Sequence, residues 1–511
     1  MQHTGVLFGR EGDDGMVRTT GRRLMTVGAA LVLVAGACGG DDDSGDDDRP
    51  AQPPVGDDDG ATGVETSGPE VRVETVEVAA GPGPAEYNRV RVIEHGPADA
   101  ENVLVLVPGT SAGAAYFTPV ALDMVDALDG WQVWAVDRRE NLLEDHSTLE
   151  DRVAGDATTQ ETFDYYLGWL GDDSITEHFE PVGGPGGDQA SADFARDWGM
   201  AVAIEDLHAV IEEAAHLGGQ VVLGGHSLGG SITVAYATWD FDGRPGAEDL
   251  AGIALIDGGS GAGQAPTVEE AQAELTELET GSAFNDIVGL GLPWAAGVFN
   301  ALGATATVVE PDAPSIGYAS PLIPQNLKPP VTPTNAAQYG YALDTDTSPD
   351  GLELVQMHMG RLADSGDPRG WVDDELVPVE RAARMFSGLV EGTDGDESLG
   401  IDGTAWYHPR RLSIDSAAVN GGIENPAQEL LGVRAIHGTE LDLPIYALET
   451  TFGAGRVLNG ARLLAQQSGI PDRELTLVDE SDRLTHTDPM GVETAQNPLV
   501  ETLVPYLRTI G

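Results

Sequence analysis

The stretch QVVLGGHSLGGSITVAYAT, residues 220–238, decides how the surrounding chain folds. The apolar run at 221–223 is typical of a buried strand, and the small residues at 231–238 are typical of a helix. Between them, Ser227 lies in a G-x-S-x-G motif flanked by Gly225 and Gly229. A turn this sharp strains the serine backbone, and a Cβ at either glycine would collide with neighbouring backbone. The pattern predicts a nucleophile elbow that exposes the Ser227 hydroxyl, the alternative being a glycine-rich turn with an incidental serine.

Eight segments have the apolar or alternating pattern of strands, and helical patterns lie between them. The strand segments are 71–78, 89–93, 103–107, 132–136, 221–223, 252–256, 443–448 and 474–478. The first two, separated by a Gly-Pro turn, predict an antiparallel start to the sheet. Continuous runs such as VLVLV at 103–107 are typical of parallel strands covered on both faces. The sequence therefore predicts the α/β class, with a mostly parallel central sheet and flanking helices.

The strand rhythm stops between residues 261 and 442, a segment rich in proline and helical patterns. An insertion here would lie over the catalytic edge of the sheet, so we interpret it as a cap or lid. The core then comprises 70–260 and 443–511, with a smaller insertion at 140–199. Within the cap, WYHPRR at 406–411 is a basic-aromatic cluster that we interpret as a structural loop in preference to a substrate-anion contact.

A serine nucleophile needs a base to take its proton and an acid to orient that base. His486 follows the last predicted strand and is the predicted base. Glu449, at the end of the strand after the cap, is the preferred acid, and Asp257, after the strand that follows the nucleophile, is the alternative. The weaker competitors for the base are His437, His358 and His226, the last of which we expect to point away from the site.

Together these features resemble the α/β-hydrolase family, in its serine esterase and lipase-like branch. The resemblance covers 71–511 apart from the cap and the smaller insertion, and the chain order Ser, acid, His fits it. It implies a cap inserted before the strand that carries the acid. It also implies an oxyanion hole formed by the backbone N–H groups of Thr110 and Leu228, although Pro108-Gly109 replaces the usual His-Gly. A serine nucleophile argues against the dehalogenases and epoxide hydrolases of this fold, which use aspartate.

The resemblance implies a serine hydrolase that cleaves carboxylic esters through an acyl-enzyme. Its substrate would be a small-molecule or lipid-like ester, with no metal ion or organic cofactor, and we expect a monomer. Two alternatives stay open. One is a peptidase or aminopeptidase of the same fold, and the other is a catalytically inactive surface binding protein.

Composition excludes nucleic acid as a partner. The chain has 85 acidic and 26 basic residues, a formal net charge of −59, whereas phosphate binding needs a basic surface. Such acidity indicates a strongly solvated surface. Cys38 is the single cysteine, so no intramolecular disulfide can form.

The N-terminal segment has the pattern of an export signal. Arg22-Arg23 precede an apolar stretch at 24–37, and Cys38 follows at once, resembling a bacterial lipoprotein signal. We therefore expect a signal peptide at 1–37, lipidation of Cys38, and a disordered tether at 38–69 with nine aspartates. The expected location is extracytoplasmic and membrane-anchored, with ordinary secretion as the alternative. Acidic residues before Met16 favour Met16 over Met1 as the true start.

Overall fold

The computed structural model describes residues 70–259, 265–349, 352–392 and 395–511. The predicted signal peptide, Cys38 and the tether lie outside these residues. Every predicted strand is present in one central sheet. Its strands are β1 (Val71–Glu77), β2 (Arg89–His95), β3 (Asn102–Val107), β4 (Trp131–Asp137), β5 (Val221–His226), β6 (Gly252–Ile256), β7 (Ile445–Glu449) and β8 (Leu475–Asp479).

The sheet has the order β1-β2-β4-β3-β5-β6-β7-β8. β2 pairs antiparallel with both β1 and β4, and every other pairing in this sheet is parallel. The sheet is therefore mostly parallel, with one reversed strand near an edge. This topology confirms the predicted α/β-hydrolase fold, including the antiparallel start.

Helices connect the strands and flank both faces of the sheet. The α-helices of the described residues are α1 (Thr118–Ala127), α2 (Ser147–Ala154), α3 (Thr159–Tyr166), α4 (Met200–His216), α5 (Leu228–Ala237), α6 (Val268–Thr280), α7 (Ala295–Val309), α8 (Ile316–Ala319), α9 (Asn335–Leu343), α10 (Val379–Ser387), α11 (Arg410–Ser416), α12 (Pro426–Leu431), α13 (Arg456–Ser468), α14 (Asp488–Gly491) and α15 (Pro498–Arg508). Across residues 70–259, 265–349, 352–392 and 395–511, no helix has both the length and the apolar character required to span a bilayer.

Alternation along the central strands divides the core into two layers. Leu104 and Leu106 of β3 point to the face covered by α1 and α15. Val103 and Val105 point to the opposite face, which is covered by α4, α5 and α13. Each fully buried aliphatic side chain contributes about 1.5–3 kcal/mol, so packing on both faces holds β3 firmly within the core. The ends of the packed strands determine where the loops after them begin.

A large insertion separates β6 from β7. Its described residues contain helices α6 to α12 and two small antiparallel ribbons, and they add no strand to the central sheet. The ribbons pair Arg361–Gly366 with Arg369–Val372 and Leu389–Glu391 with Asp396–Ser398.

An apolar cluster joins this insertion to the smaller one that follows β4. Tyr166 and Phe179 of the smaller insertion pack with Trp294 and Trp406 of the larger one. Trp406 is 1% exposed, and Arg410 pairs with Glu277 at 3.1 Å. The 406–411 segment is thus built into the insertion, as a structural role predicts, but its last two residues begin α11 and do not belong to a loop.

Candidate active site

Ser227 occupies a strained turn between β5 and α5. Its φ of 57° and ψ of −123° place a non-glycine residue in a backbone conformation that is rarely populated. A Cβ added at Gly229 would lie 1.9 Å from Val107 O, and one at Gly225 would lie 2.1 Å from Gly229 C. Both predicted collisions are therefore present, and the turn has the backbone geometry of a nucleophile elbow.

His486 and Asp257 form a buried pair at the same edge of the sheet. His486 Nδ1 donates a 2.6 Å hydrogen bond to Asp257 Oδ2, and each residue is 2% exposed. The Thr450 backbone N–H and hydroxyl also donate to the Asp257 carboxylate, the former at 2.8 Å. Burial alone raises the pKa of Asp257, but these hydrogen bonds and the nearby imidazole outweigh it and hold the pKa below its usual value. With Nδ1 bound to a carboxylate, Nε2 is left as the proton acceptor.

The preference for Glu449 as the partner of His486 is wrong. Glu449 Oε1 accepts the Gly455 N–H at 2.5 Å, and Oε2 accepts the Leu458 N–H at 3.0 Å. These amides begin α13, where unpaired N–H groups and the helix dipole favour a carboxylate. The alternative acid, Asp257, takes the position beside His486. Because Asp257 follows β6, the large insertion comes after the strand that carries the partner of His486, whereas the sequence predicts it before that strand.

His226 connects the elbow to the His486 loop. Its Nε2 lies 2.9 Å from His486 O, and the two imidazole rings are 4.4 Å apart between centroids. Burial and the neighbouring His486 lower the pKa of His226 to about 3, so it stays neutral and donates to that carbonyl. The expectation that His226 points away from the site is wrong. Its contacts bring His486 to the edge of the sheet where Ser227 lies.

Ser227 Oγ makes no hydrogen bond to His486 in this structure, although both side chains are among the described residues. Catalytic hydrogen bonds are often long in a free enzyme and shorten when substrate binds.

Arg138 orients the segment that follows β3. Its buried guanidinium donates to Pro108 O at 2.9 Å and to Gly109 O at 3.3 Å. In a trans peptide the carbonyl and the next N–H point in opposite directions, so the Thr110 N–H faces away from Arg138. Within the described residues, neither the Thr110 nor the Leu228 backbone N–H donates to a protein acceptor. Both predicted oxyanion donors are thus free.

Gly109 sets the distance between this segment and the elbow. A Cβ added at Gly109 would lie 2.8 Å from Ser227 Cβ and 3.4 Å from Ser227 Oγ. The segment that carries the Thr110 N–H therefore passes directly beside the serine. An oxyanion formed at Ser227 would lie between this segment and the first amides of α5.

The large insertion contacts the His486 loop. Thr485 Oγ1 donates to Gln356 O at 2.8 Å, and His358 Nδ1 lies 2.6 Å from Asp488 Oδ2. The hydrogen bond to Asp488 raises the pKa of His358. His358 therefore has its own carboxylate and does not compete with His486 for Asp257. The insertion lies against the predicted base loop through residues 354–358.

His437, the other competitor for the base, pairs with different carboxylates. Its Nε2 lies 3.1 Å from Asp240 Oδ1 and its Nδ1 lies 3.1 Å from Glu440 Oε1. The two carboxylates face different ring nitrogens of His437, and only the contact at Nε2 has hydrogen-bond geometry. It is not part of the cluster formed around Asp257.

Sequence reasoning missed Thr450, Arg138 and the positioning contact of His226. Thr450 directly follows Glu449, but a hydroxyl after a strand gives no indication of which carboxylate it binds. Arg138 follows β4 and binds the loop after β3, which comes one strand and one helix earlier in the chain. This contact depends on β3 and β4 being neighbours in the sheet. Of these three residues, only His226 could be predicted to lie at the site, because it is part of the G-x-S-x-G motif.

No protein-family model and no curated protein matches the sequence. Solved structures do match. A proposed lipase from Sulfolobus solfataricus has a TM-score of 0.43 and 13% identity, covering 87% of this chain and 95% of its own. Epoxide Hydrolase A from Mycobacterium thermoresistibile has a TM-score of 0.38 and 14% identity, and the match covers 87% of this chain and 99% of that enzyme. A soluble variant of monoglyceride lipase from Saccharomyces cerevisiae has a TM-score of 0.35 and 10% identity, and the match covers 88% of this chain and 97% of the lipase. Identities and TM-scores this low give no information about the reaction that this chain catalyses.

Proposed function

We propose that the chain is a serine hydrolase that cleaves carboxylic esters, with Ser227, His486 and Asp257 as its triad. The buried 2.6 Å hydrogen bond between His486 and Asp257 carries this proposal. A carboxylate in this position fixes the imidazole tautomer and stabilises the imidazolium that forms during the reaction. The strained Ser227 turn and the free N–H groups of Thr110 and Leu228 support it further.

The proposed reaction begins with transfer of the Ser227 hydroxyl proton to His486 Nε2 as Oγ attacks the ester carbonyl carbon. The N–H groups of Thr110 and Leu228 stabilise the negative oxygen of the tetrahedral intermediate. His486 then returns the proton to the departing alcohol as the C–O bond breaks, which leaves an acyl group on Ser227. Water, deprotonated by His486, cleaves this acyl-enzyme and releases the acid. The substrate in this proposal is a small-molecule or lipid-like ester.

A fluorophosphonate probe tests the nucleophile. The wild-type chain should form one phosphonyl adduct, located at Ser227 by peptide mass spectrometry, and Ser227→Ala and His486→Gln should abolish it. Ser111→Ala is the matched control, because Ser111 is a second half-buried serine with a positive φ on the segment beside the elbow. An adduct at any other residue, or no adduct in folded wild-type protein, would overturn the proposal and favour an inactive binding scaffold.

Substrate panels separate an esterase from a peptidase. p-Nitrophenyl esters of increasing acyl length should be hydrolysed with kcat/KM well above that for aminoacyl anilides, and Ser227→Ala should remove both activities. Preference for aminoacyl anilides would make the chain a peptidase with the same triad. The two activities share a mechanism, so this outcome would change the substrate class alone.

We also propose that Cys38 is lipidated and anchors the enzyme outside the cytoplasm. The support is the sequence before and at Cys38, with its basic, apolar and small-residue order. Labelling with an alkyne-tagged fatty acid should mark the wild-type protein but not Cys38→Ala, which should also leave the membrane fraction. Equal labelling of both forms would refute the anchor, and a soluble unlabelled wild-type protein would favour secretion.

A further inference from the structure

Glu144, His146 and Asp402 converge on one point outside the proposed triad. His146 Nε2 lies 3.3 Å from Glu144 Oε2 and 3.4 Å from Asp402 Oδ2, and the three atoms all lie within 4.8 Å of one another. We propose that these three side chains bind a divalent transition-metal ion, for which zinc fits best. Ligands at the usual ~2.0 Å from a tetrahedral zinc are about 3.3 Å apart, which matches both His146 distances.

The His146 ring packs edge-on against Trp406, with ring centroids 5.3 Å apart, but within the described residues its Nε2 has no partner beyond the two carboxylates. Its side chain is 10% exposed, and Nε2 is buried without a hydrogen bond of normal geometry to any described atom. A buried polar atom without a partner costs about 1–3 kcal/mol. An ion between the three side chains would give this nitrogen a ligand bond and would explain why it faces two carboxylates.

The charge around this point also favours a divalent cation. The side chains of Glu144 and Asp402 are 1% and 2% exposed, and the nearby Asp137 side chain is 1% exposed. The one guanidinium close to them, Arg91, binds Asp137 at 2.7 Å. Three carboxylates thus face one guanidinium and the His146 imidazole in a poorly solvated place, where unpaired charge is costly. A bound 2+ ion would balance the two carboxylates that Arg91 does not pair with.

Surrounding hydrogen bonds hold both carboxylates toward His146. Glu144 Oε1 accepts the Trp406 backbone N–H at 2.9 Å, which leaves Oε2 free for the ion. Asp402 Oδ1 accepts the Thr404 N–H at 2.8 Å, and Oδ2 accepts the Trp406 indole N–H at 2.9 Å. Outer contacts of this kind are a regular feature of metal sites, because they orient the ligands before the ion binds. A small cavity lined partly by His146, Asp402 and Glu150 lies beside two of the three side chains.

The ion would connect the two insertions beside the oxyanion segment. Asp402 belongs to a segment that pairs with residues 111–113, through Gly113 N–H to Gly403 O at 3.1 Å and Ala405 N–H to Ser111 O at 2.9 Å. Glu144 and His146 belong to the smaller insertion. The site is thus structural in this proposal, and it does not depend on the proposed ester hydrolysis.

Metal binding by the full chain tests the site. Protein stripped with dipicolinate should take up one equivalent of Zn²⁺ by isothermal titration calorimetry, in a buffer with millimolar Ca²⁺ to occupy the exposed aspartates. Elemental analysis after dialysis should retain that equivalent, and Tm should rise by on the order of 5 °C. His146→Gln and Asp402→Asn should weaken binding by about 100-fold or more.

His437→Gln is the matched control. His437 also lies 3.1 Å from each of two carboxylate oxygens, but it faces them with different ring nitrogens, so they cannot share one ion. This variant should bind Zn²⁺ as the wild type does. Co²⁺ added to the stripped wild-type chain should give the visible absorption of a four-coordinate site, which requires no variant to fold. Folded wild-type protein without a stoichiometric Zn²⁺ or Co²⁺ site, or full binding by His146→Gln, would overturn the proposal.

Discussion

Asp257 and Glu449 lie at the ends of neighbouring parallel strands, yet their carboxylates bind different partners. Asp257 accepts the imidazole N–H of His486, whereas Glu449 accepts two amides at the start of α13. The two residues are close, because a Cβ added at Gly453 would lie 2.4 Å from Glu449 Cγ and 2.7 Å from Asp257 Oδ1. One edge of the sheet thus supplies one carboxylate to the proposed catalysis and one to helix capping.

The first prediction separates these two functions. Asp257→Asn should lower kcat for p-nitrophenyl ester hydrolysis by about 10⁴-fold, the size of loss known when a triad aspartate becomes an amide and the imidazole takes the wrong tautomer. Glu449→Gln should keep kcat within a few-fold but lower stability by roughly 1–2 kcal/mol, since a neutral amide caps a helix less well. Steady-state kinetics and thermal unfolding of both variants measure these effects. The reverse pattern, with Glu449→Gln inactive and fully stable, would restore Glu449 as the acid.

The strands could be predicted because the burial of each strand determines the order of apolar and polar residues along it. VLVLV in β3 is apolar at every position because both faces of the strand are covered, and the alternation in β1 reflects one exposed face. The turn at Ser227 could also be predicted from the local sequence, because it requires glycines at fixed positions. These signals need only a few neighbouring residues.

The carboxylate partner of His486 could not be predicted from such signals. Glu449 is the last residue of a buried strand and Asp257 directly follows another, and β6 and β7 end at the same edge. What distinguishes them is the loop after β7, which turns Glu449 toward α13 and brings Thr450 to Asp257. That geometry depends on tertiary contacts. The proposed metal ligands illustrate the same difficulty, because Asp402 lies in a different insertion from Glu144 and His146.

A second prediction concerns Arg138. Arg138→Met should lower kcat by roughly 10- to 100-fold with a smaller change in KM. The reason is that the Pro108 and Gly109 carbonyls lose their hydrogen-bond donor, so the direction of the Thr110 N–H is no longer fixed. The loss in kcat should be smaller than the about 10²–10³-fold that removal of a whole oxyanion donor costs. Stability should also fall, since Glu140, 2.6 Å from Arg138 Nε, would be left buried and unpaired.

Glu140→Gln is the control for that loss of stability. It breaks the same ion pair but keeps the Arg138 hydrogen bonds to the segment after β3. Its kcat should stay within a few-fold of wild type while Tm falls. If both variants lose kcat equally, Arg138 contributes only to stability and does not position the oxyanion segment.

A third prediction concerns the glycine after the elbow. Gly229→Ala would place a Cβ 1.9 Å from the Val107 carbonyl oxygen, which is backbone and cannot move aside without shifting β3. Stability should drop by about 3 kcal/mol or more, or folded protein should not accumulate. Gly370→Ala, whose added Cβ has no atom within 4 Å, should change stability by less than about 0.5 kcal/mol. Thermal unfolding followed by circular dichroism measures both, and a wild-type Tm for Gly229→Ala would contradict this backbone geometry.

The last prediction concerns stability in acid. His95 is fully buried between Val133 O, 3.0 Å from Nδ1, and Thr118 Oγ1, 3.1 Å from Nε2. Burial lowers its pKa to about 4, with a smaller contribution from the Arg72 charge. The unfolded chain, in which histidine has a pKa near 6.5, therefore binds a proton between pH 6.5 and 4 that the native protein does not bind.

Stability should consequently fall as pH falls through that window and level off, for this residue, below pH 4. At pH 5, about 1.5 pKa units below the unfolded value, the loss attributable to His95 is roughly 2 kcal/mol. His95→Gln retains a donor for Val133 O but has no titrating group, so its urea unfolding free energy should depend less steeply on pH. Comparison of wild type and variant at pH 7 and pH 5 isolates the difference. Parallel curves for the two proteins would mean that His95 takes up its proton equally in the folded and unfolded chains.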